Sequence, residues 1–195
     1  MTGAVDWIIA ACAAPLMAHE VGTLDTSSGQ LAMIDPLVFW VSFEESAFKV
    51  PKTGGRIVVL EDTRARLNSK MVIVFADGDV EGGADVATLL VDAGMGSLFT
   101  RDTYDAMKAW VEGLEYDPYT TLFEEHDNVP PGGERKIVPL PDGTPVPYVH
   151  TGYGDGGYPV FTLTDAEGAV VAAYADFMGC DEAGKWLAPP GVAQE

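Results

Sequence analysis

The feature that most constrains this chain is a series of short apolar runs, each stopped by aspartate, glycine or proline. Arg56 to Leu60 and Met71 to Phe75 are β-branched and lie on either side of Thr63 to Ser69, which predicts a pair of antiparallel strands. Val21 to Leu24 and Gln30 to Ile34 flank Asp25-Thr26-Ser27-Ser28-Gly29, a cluster that favours turns, and predict a hairpin that Asp35-Pro36 ends. Phe39, Val41 and Phe43 alternate with period two, the pattern of a half-buried strand. Thr88 to Val91 is entered from the acidic, glycine-rich stretch Ala76 to Asp85 and closed by Asp92 to Ser97. Tyr158 to Thr164 and Ala169 to Phe177 flank Asp165-Ala166-Glu167-Gly168 and predict a second hairpin.

Helical periodicity is confined to two places. From about Thr103 to Leu114, with Asp102 as the expected N-cap, Tyr104, Met107, Trp110, Val111 and Leu114 share one face. Trp7 to Ala18 reads as a core-packing helix interrupted near Pro15. Asp127 to Pro147, rich in proline and glycine, suits a long loop or an edge strand. The expected fold class is therefore α+β: mainly antiparallel, curved β-sheet with an N-terminal helix and one amphipathic helix. At 195 residues the expectation is a single domain over 1–195, with a frayed tail from 187 around Ala188-Pro189-Pro190-Gly191.

Thirty acidic residues against eleven basic ones give a formal charge of −19. Phosphate backbones are held by Lys and Arg that displace counterions, so nucleic acid is not the expected partner; a field of this sign suits encounter with a basic protein or with cations, while solubility alone is the favoured reading of the charge. The two cysteines, Cys12 and Cys180, form no C-x-x-C pair, and the expectation is reduced thiols in the cytoplasm. Trp7 to Ala18 falls short of the roughly 20 residues that span a bilayer. Asp6 with no preceding Lys or Arg speaks against a secretory signal, so no membrane association is expected.

Several strings resemble, in order, the bacterial family catalogued as domain of unknown function 4241. They are Ser28-Gly29-Gln30-Leu31 leading to Asp35-Pro36-Leu37, Val50-Pro51 with Gly55-Arg56-Ile57-Val58, Val91-Asp92-Ala93-Gly94, and Gly152-Tyr153-Gly154-Asp155-Gly156-Gly157-Tyr158-Pro159-Val160 with Asp176-Phe177. The chain has Tyr153 where the family pattern has Trp, and Ile57 where an aromatic is more usual. The resemblance implies a fold and a bacterial or phage source, and it implies no activity, cofactor or catalytic residue.

Three aspartates, Asp35, Asp92 and Asp155, stand at the tightest strand ends. Converging, they would make a hard-cation site for a metal-assisted hydrolase; separately, each would satisfy backbone N–H groups of its own turn, the favoured reading. Asp77 to Gly82 starts like a calcium loop but has Thr88 where the bidentate Glu belongs. Ser27, Ser28, Ser97 and Cys180 are the possible nucleophiles and His19, His126 and His150 the possible bases, with no G-x-S-x-G elbow among them. The glycines beside Tyr148, His150, Tyr153, Asp155 and Tyr158 point to an aromatic-walled groove as the ligand-binding location. The functional expectation is an acidic, non-catalytic binding protein with no cofactor. It would be an immunity-type or inhibitor protein that meets a basic partner, or one that sequesters a small nucleotide-like ligand, and metal-assisted hydrolysis is the alternative.

Overall fold

The computed structural model describes residues 3–38, 41–115, 135–177 and 186–193. In chain order the elements are α1 (Ala4–Ala11), β1 (Leu16–Leu24), β2 (Gln30–Ile34), α2 (Phe43–Ser46), β3 (Ala47–Lys49), β4 (Gly55–Asp62), β5 (Leu67–Val74), β6 (Gly82–Val91), β7 (Met95–Phe99), α3 (Arg101–Glu112), β8 (Arg135–Pro139), β9 (Pro145–His150), β10 (Gly156–Thr164) and β11 (Val170–Asp176). The strands form a six-stranded sheet in the order β1-β4-β5-β11-β10-β6 and a five-stranded sheet in the order β3-β2-β7-β9-β8. Every pairing is antiparallel. The fold is α+β, as the punctuated runs predict.

Strand periodicity explains the layering. In β4, Ile57 and Val59 face a core shared by both sheets, where Leu31, Met33, Leu98 and Val149 of the five-stranded sheet meet them. Their neighbours Val58 and Leu60 face the opposite side, against Ala4 and Ile8 of α1. Burial on both faces is why β4 and β5 read as continuous apolar runs rather than alternating ones. The outer face of the five-stranded sheet is covered by α2 and α3, which bring Phe43, Tyr104 and Met107 onto Ile34, Phe99 and Tyr148.

Four expectations are corrected. Gln30–Ile34 does not pair with Leu16–Leu24: β1 pairs with β4, and β2 with β3 and β7 in the other sheet. The Thr26 to Gly29 turn exists, with the Gly29 N–H on the Thr26 carbonyl at 2.8 Å, but it passes the chain between sheets. Phe43 belongs to the short helix α2, started by a capping box in which the Ser42 hydroxyl accepts from the Glu45 N–H and Glu45 bonds back to the Ser42 N–H. The N-terminal helix stops at Ala11, and Leu16 already opens β1. α3 is capped by Thr100, two residues before the expected Asp102.

The segment read as a frayed tail is pinned over residues 186–193. The Leu187 N–H donates to Asp176 Oδ2 at 2.8 Å, Tyr174 donates its hydroxyl to the Leu187 carbonyl, and Leu187, Ala188 and Val192 pack on the outer apolar face of the six-stranded sheet. Gly83 of β6 allows this closure, since a Cβ there would stand 2.5 Å from Pro189 Cβ and 2.1 Å from the Thr162 carbonyl oxygen. The Asp127–Pro147 expectation falls partly outside the described residues; within them β8 is an edge strand and carries Pro139.

Cys12 is disulfide-bonded, which corrects the expectation of reduced thiols. Cys180, the chain's other cysteine, lies outside the described residues. Replacing Cys12 by serine is expected to lower the unfolding free energy by about 2–4 kcal/mol. Urea melts with and without reductant check this: reduction should destabilise the wild type and leave Cys12→Ser unchanged.

Candidate functional site

The turn Asp92-Ala93-Gly94 carries the chain from β6 in one sheet to β7 in the other. Its amides need partners, and two aspartates supply them. Asp35, fully buried at the end of β2, accepts from the Leu37 N–H with Oδ1 at 2.9 Å and from the Asp92 and Ala93 N–H groups with Oδ2 at 3.0 and 2.8 Å. Asp155 Oδ1 accepts from the Gly94 N–H at 3.0 Å, and the Gly94 carbonyl takes the Thr151 N–H at 2.9 Å. Burial pushes the Asp35 carboxyl above its usual range, the three amides oppose that, and the charge of Asp155 adds to it.

The three aspartates named from the sequence therefore meet at one turn, though not as a ligand set. Asp35 and Asp155 turn their oxygens to backbone amides, and Asp92 is exposed and contributes its own N–H. Among the described residues no group of three His, Cys, Asp or Glu side chains is placed to hold a metal ion.

The expected aromatic groove is corrected at two of its walls. Tyr148 is buried in the core beneath α3, with the Lys136 ammonium 5.5 Å from its ring centroid. Tyr158 is buried in the core between the sheets; its hydroxyl donates to the Gly154 carbonyl at 2.8 Å, and its ring meets Phe177 edge-on at 5.4 Å. These rings anchor the loop from within and do not wall an opening.

His150 is half-buried; its Nδ1 accepts from the Gly152 N–H at 3.3 Å and its carbonyl from Asn68 Nδ2 at 2.9 Å. Tyr153 packs on the core, and burial, reinforced by the charge of Asp62, raises its hydroxyl pKa. Gly152, at φ 73°, lies so close to β5 that a Cβ would stand 2.7 Å from the Asn68 carbonyl oxygen. Ser27 bonds Asp25, Ser28 the Gln30 carbonyl and Ser97 the Pro147 carbonyl, so none of these hydroxyls donates to a histidine. His126 and Cys180 lie outside the described residues.

Two arrangements escaped the sequence reading. One is a polar network at the seam of the sheets. Arg135 of β8 donates to Glu61 at 3.0 Å and to Asn68 Oδ1 at 2.9 Å, and His19 Nε2 lies 2.9 Å from the same Glu61 oxygen without the alignment of a hydrogen bond. It ties β1, β4, β5 and β8 together. The other is a pair of adjoining clefts where β1, β4 and β5 end. The first, about 500 Å³, has Leu24, Val74 and Phe75 in its lining with Asp25 and Asp77. The second, about 550 Å³, has Ala4, Val5 and Val58 with Asp6 and Glu20. Arg56, Val74 and Asp77 line both. These residues are scattered through the first 77 positions, and no motif joins them.

A family model described as Protein of unknown function (DUF4241) matches residues 79–184, just over half of the chain. The match takes in the Asp92–Gly94 turn, the Gly152–Val160 string and Asp176-Phe177; Asp35 and the clefts lie outside it. No curated protein and no solved structure matches the chain.

Proposed function

Because the chain belongs to the family of proteins of unknown function DUF4241, which assigns it no chemistry, we propose a function from its surface: it is an acidic, non-catalytic binding protein that meets a basic partner protein, in the manner of an immunity or inhibitor protein. The observation that supports this reading is the cleft pair. Asp6, Glu20, Asp25 and Asp77 stand around an apolar lining with Arg56 as the one cation among the lining residues. A concavity lined by charges of one sign focuses the field of the whole molecule, and a net charge of −19 steers a basic surface toward it. The apolar lining adds area that a partner side chain can bury.

Among the described residues no helix is long and apolar enough to cross a membrane. The cytoplasmic setting expected from the cysteine pattern loses its support in the Cys12 disulfide, because such bonds persist chiefly in oxidising compartments.

An oligo-arginine peptide tests the reading by calorimetric titration at rising ionic strength. Saturable binding that weakens with salt is expected, and Asp77→Lys should weaken it about tenfold. Glu112→Lys makes the same charge change on α3, over the outer face of the five-stranded sheet, and should weaken it much less. Equal losses in the two variants, or binding indifferent to salt, would remove the cleft from the function.

A further inference from the structure

We infer that Arg56 is a displaceable place-holder, occupying the position that an arginine side chain of the partner takes on binding. This rests on the reading of the clefts as a basic-partner site and specifies what enters them. Arg56 stands near the start of β4, opposite Thr23 of β1 and Val74 of β5, so its side chain emerges where the two clefts adjoin. Its guanidinium bridges them: Nη1 lies 3.7 Å from Glu20 Oε2 and Nη2 lies 3.6 Å from Asp77 Oδ1.

Those separations exceed the roughly 2.7–2.9 Å of a charge-assisted hydrogen bond. The side chains are 48%, 59% and 95% exposed for Arg56, Glu20 and Asp77. Exposed ion pairs of this kind contribute little, so swinging Arg56 aside costs little. Its departure leaves the Glu20 and Asp77 carboxylates at the place where the two clefts adjoin.

What fills that gap is set by shape and charge. A guanidinium has donors on both sides of a planar fork and reaches two carboxylates at once, which an ammonium does less well. An anion is disfavoured by the four surrounding carboxylates. Of the two clefts that Arg56 lines, one offers Val58 and Ala4 and the other Leu24 and Phe75. The occupant is therefore an extended protein segment with an arginine between apolar residues, and Arg56 holds its place until it arrives.

The experiment uses a capped, fluorescently labelled peptide with a single arginine between valines, and its citrulline counterpart, which keeps the shape and loses the charge. Arg56→Ala is expected to bind the arginine peptide about tenfold more tightly than the wild type. Arg64→Ala, which removes another exposed cation from the β4–β5 turn, should change binding less than about twofold. The citrulline peptide should gain nothing from either variant. Glu20→Gln should weaken the arginine peptide without unfolding the chain, as thermal melts verify.

Equal strengthening by Arg56→Ala and Arg64→Ala would overturn the place-holder role while leaving an acidic binding protein intact. Weaker binding by Arg56→Ala would overturn it too, since Arg56 would then be helping to hold the occupant. No salt-sensitive binding of the arginine peptide to any form would bring down both this inference and the function it rests on.

Discussion

Asp176→Ala is expected to lower the unfolding free energy by about 3–5 kcal/mol. Lys70 and Asp176 are adjacent in the β5–β11 register and fully buried, with Nζ 2.5 Å from Oδ1. Burial drives the Lys70 pKa down, and the Asp176 charge and hydrogen bond oppose that. Truncating the carboxylate leaves an ammonium in the core with the Ser69 hydroxyl, 3.2 Å away, still bonded to it. It also takes the acceptor from the Leu187 N–H, which anchors the C-terminal segment on the outer face.

Urea denaturation measures the loss, and a double-mutant cycle separates its parts. Lys70→Met combined with Asp176→Leu should recover most of it, because no charge is then stranded and the volumes are similar. The Leu187 anchor should stay lost in the pair, which faster proteolysis of the C-terminal segment would report. A loss below about 1 kcal/mol for Asp176→Ala would mean that the ammonium reaches water, contrary to its burial.

Part of the signal for this pair was present in the sequence: Lys70 borders the apolar run Met71 to Phe75 and Asp176 lies within Ala169 to Phe177, and such residues are seldom buried unless paired. What the sequence did not contain was their register, which depends on β11 returning beside β5 after more than ninety residues. The same limit explains the β1–β2 error. Asp25 to Gly29 has all the chemistry of a turn, but turn chemistry fixes only where the chain reverses, and β4 offers β1 an eight-residue partner that β2 cannot match. Strands that pair with sequence neighbours, β4 with β5 and β10 with β11, were legible for that reason.

Phe43 was misread because the period-two pattern of Phe39, Val41 and Phe43 runs into the Ser-x-x-Glu start of a helix at Ser42. The candidate site divides along the same line. An aspartate next to glycine or proline is readable as an acceptor for the amides of its own turn, and Asp35 meets that expectation with the Leu37 N–H; its Asp92 and Ala93 donors, and the Gly94 donor to Asp155, come from a turn remote in sequence that only the fold brings near. The clefts were not readable, because Asp6, Glu20, Arg56 and Asp77 come together only when α1, β1 and β4 do.

Asp35→Ala should cost about 3 kcal/mol at acid pH, and its cost should shrink as pH rises. Three amides lose their acceptor in this variant, two of them in the turn that joins the sheets. Unmet buried donors are what make such truncations expensive. The pH dependence follows from the direction of the shift. The Asp35 pKa is raised above its ordinary value of 3.8, so over the window from 3.8 up to the folded value the native chain holds a proton that the unfolded chain has released. Stability from this group is therefore complete below pH 3.8 and declines as pH climbs through the folded pKa, the reverse of a salt-bridged carboxylate. Asp35→Asn, which cannot titrate, isolates the effect: the gap between wild type and variant in urea melts should narrow as pH rises above 3.8. A gap that widened instead would mean the amides outweigh desolvation and hold Asp35 ionised, and the turn would then be the kind of carboxylate-stabilised junction that acid dissolves.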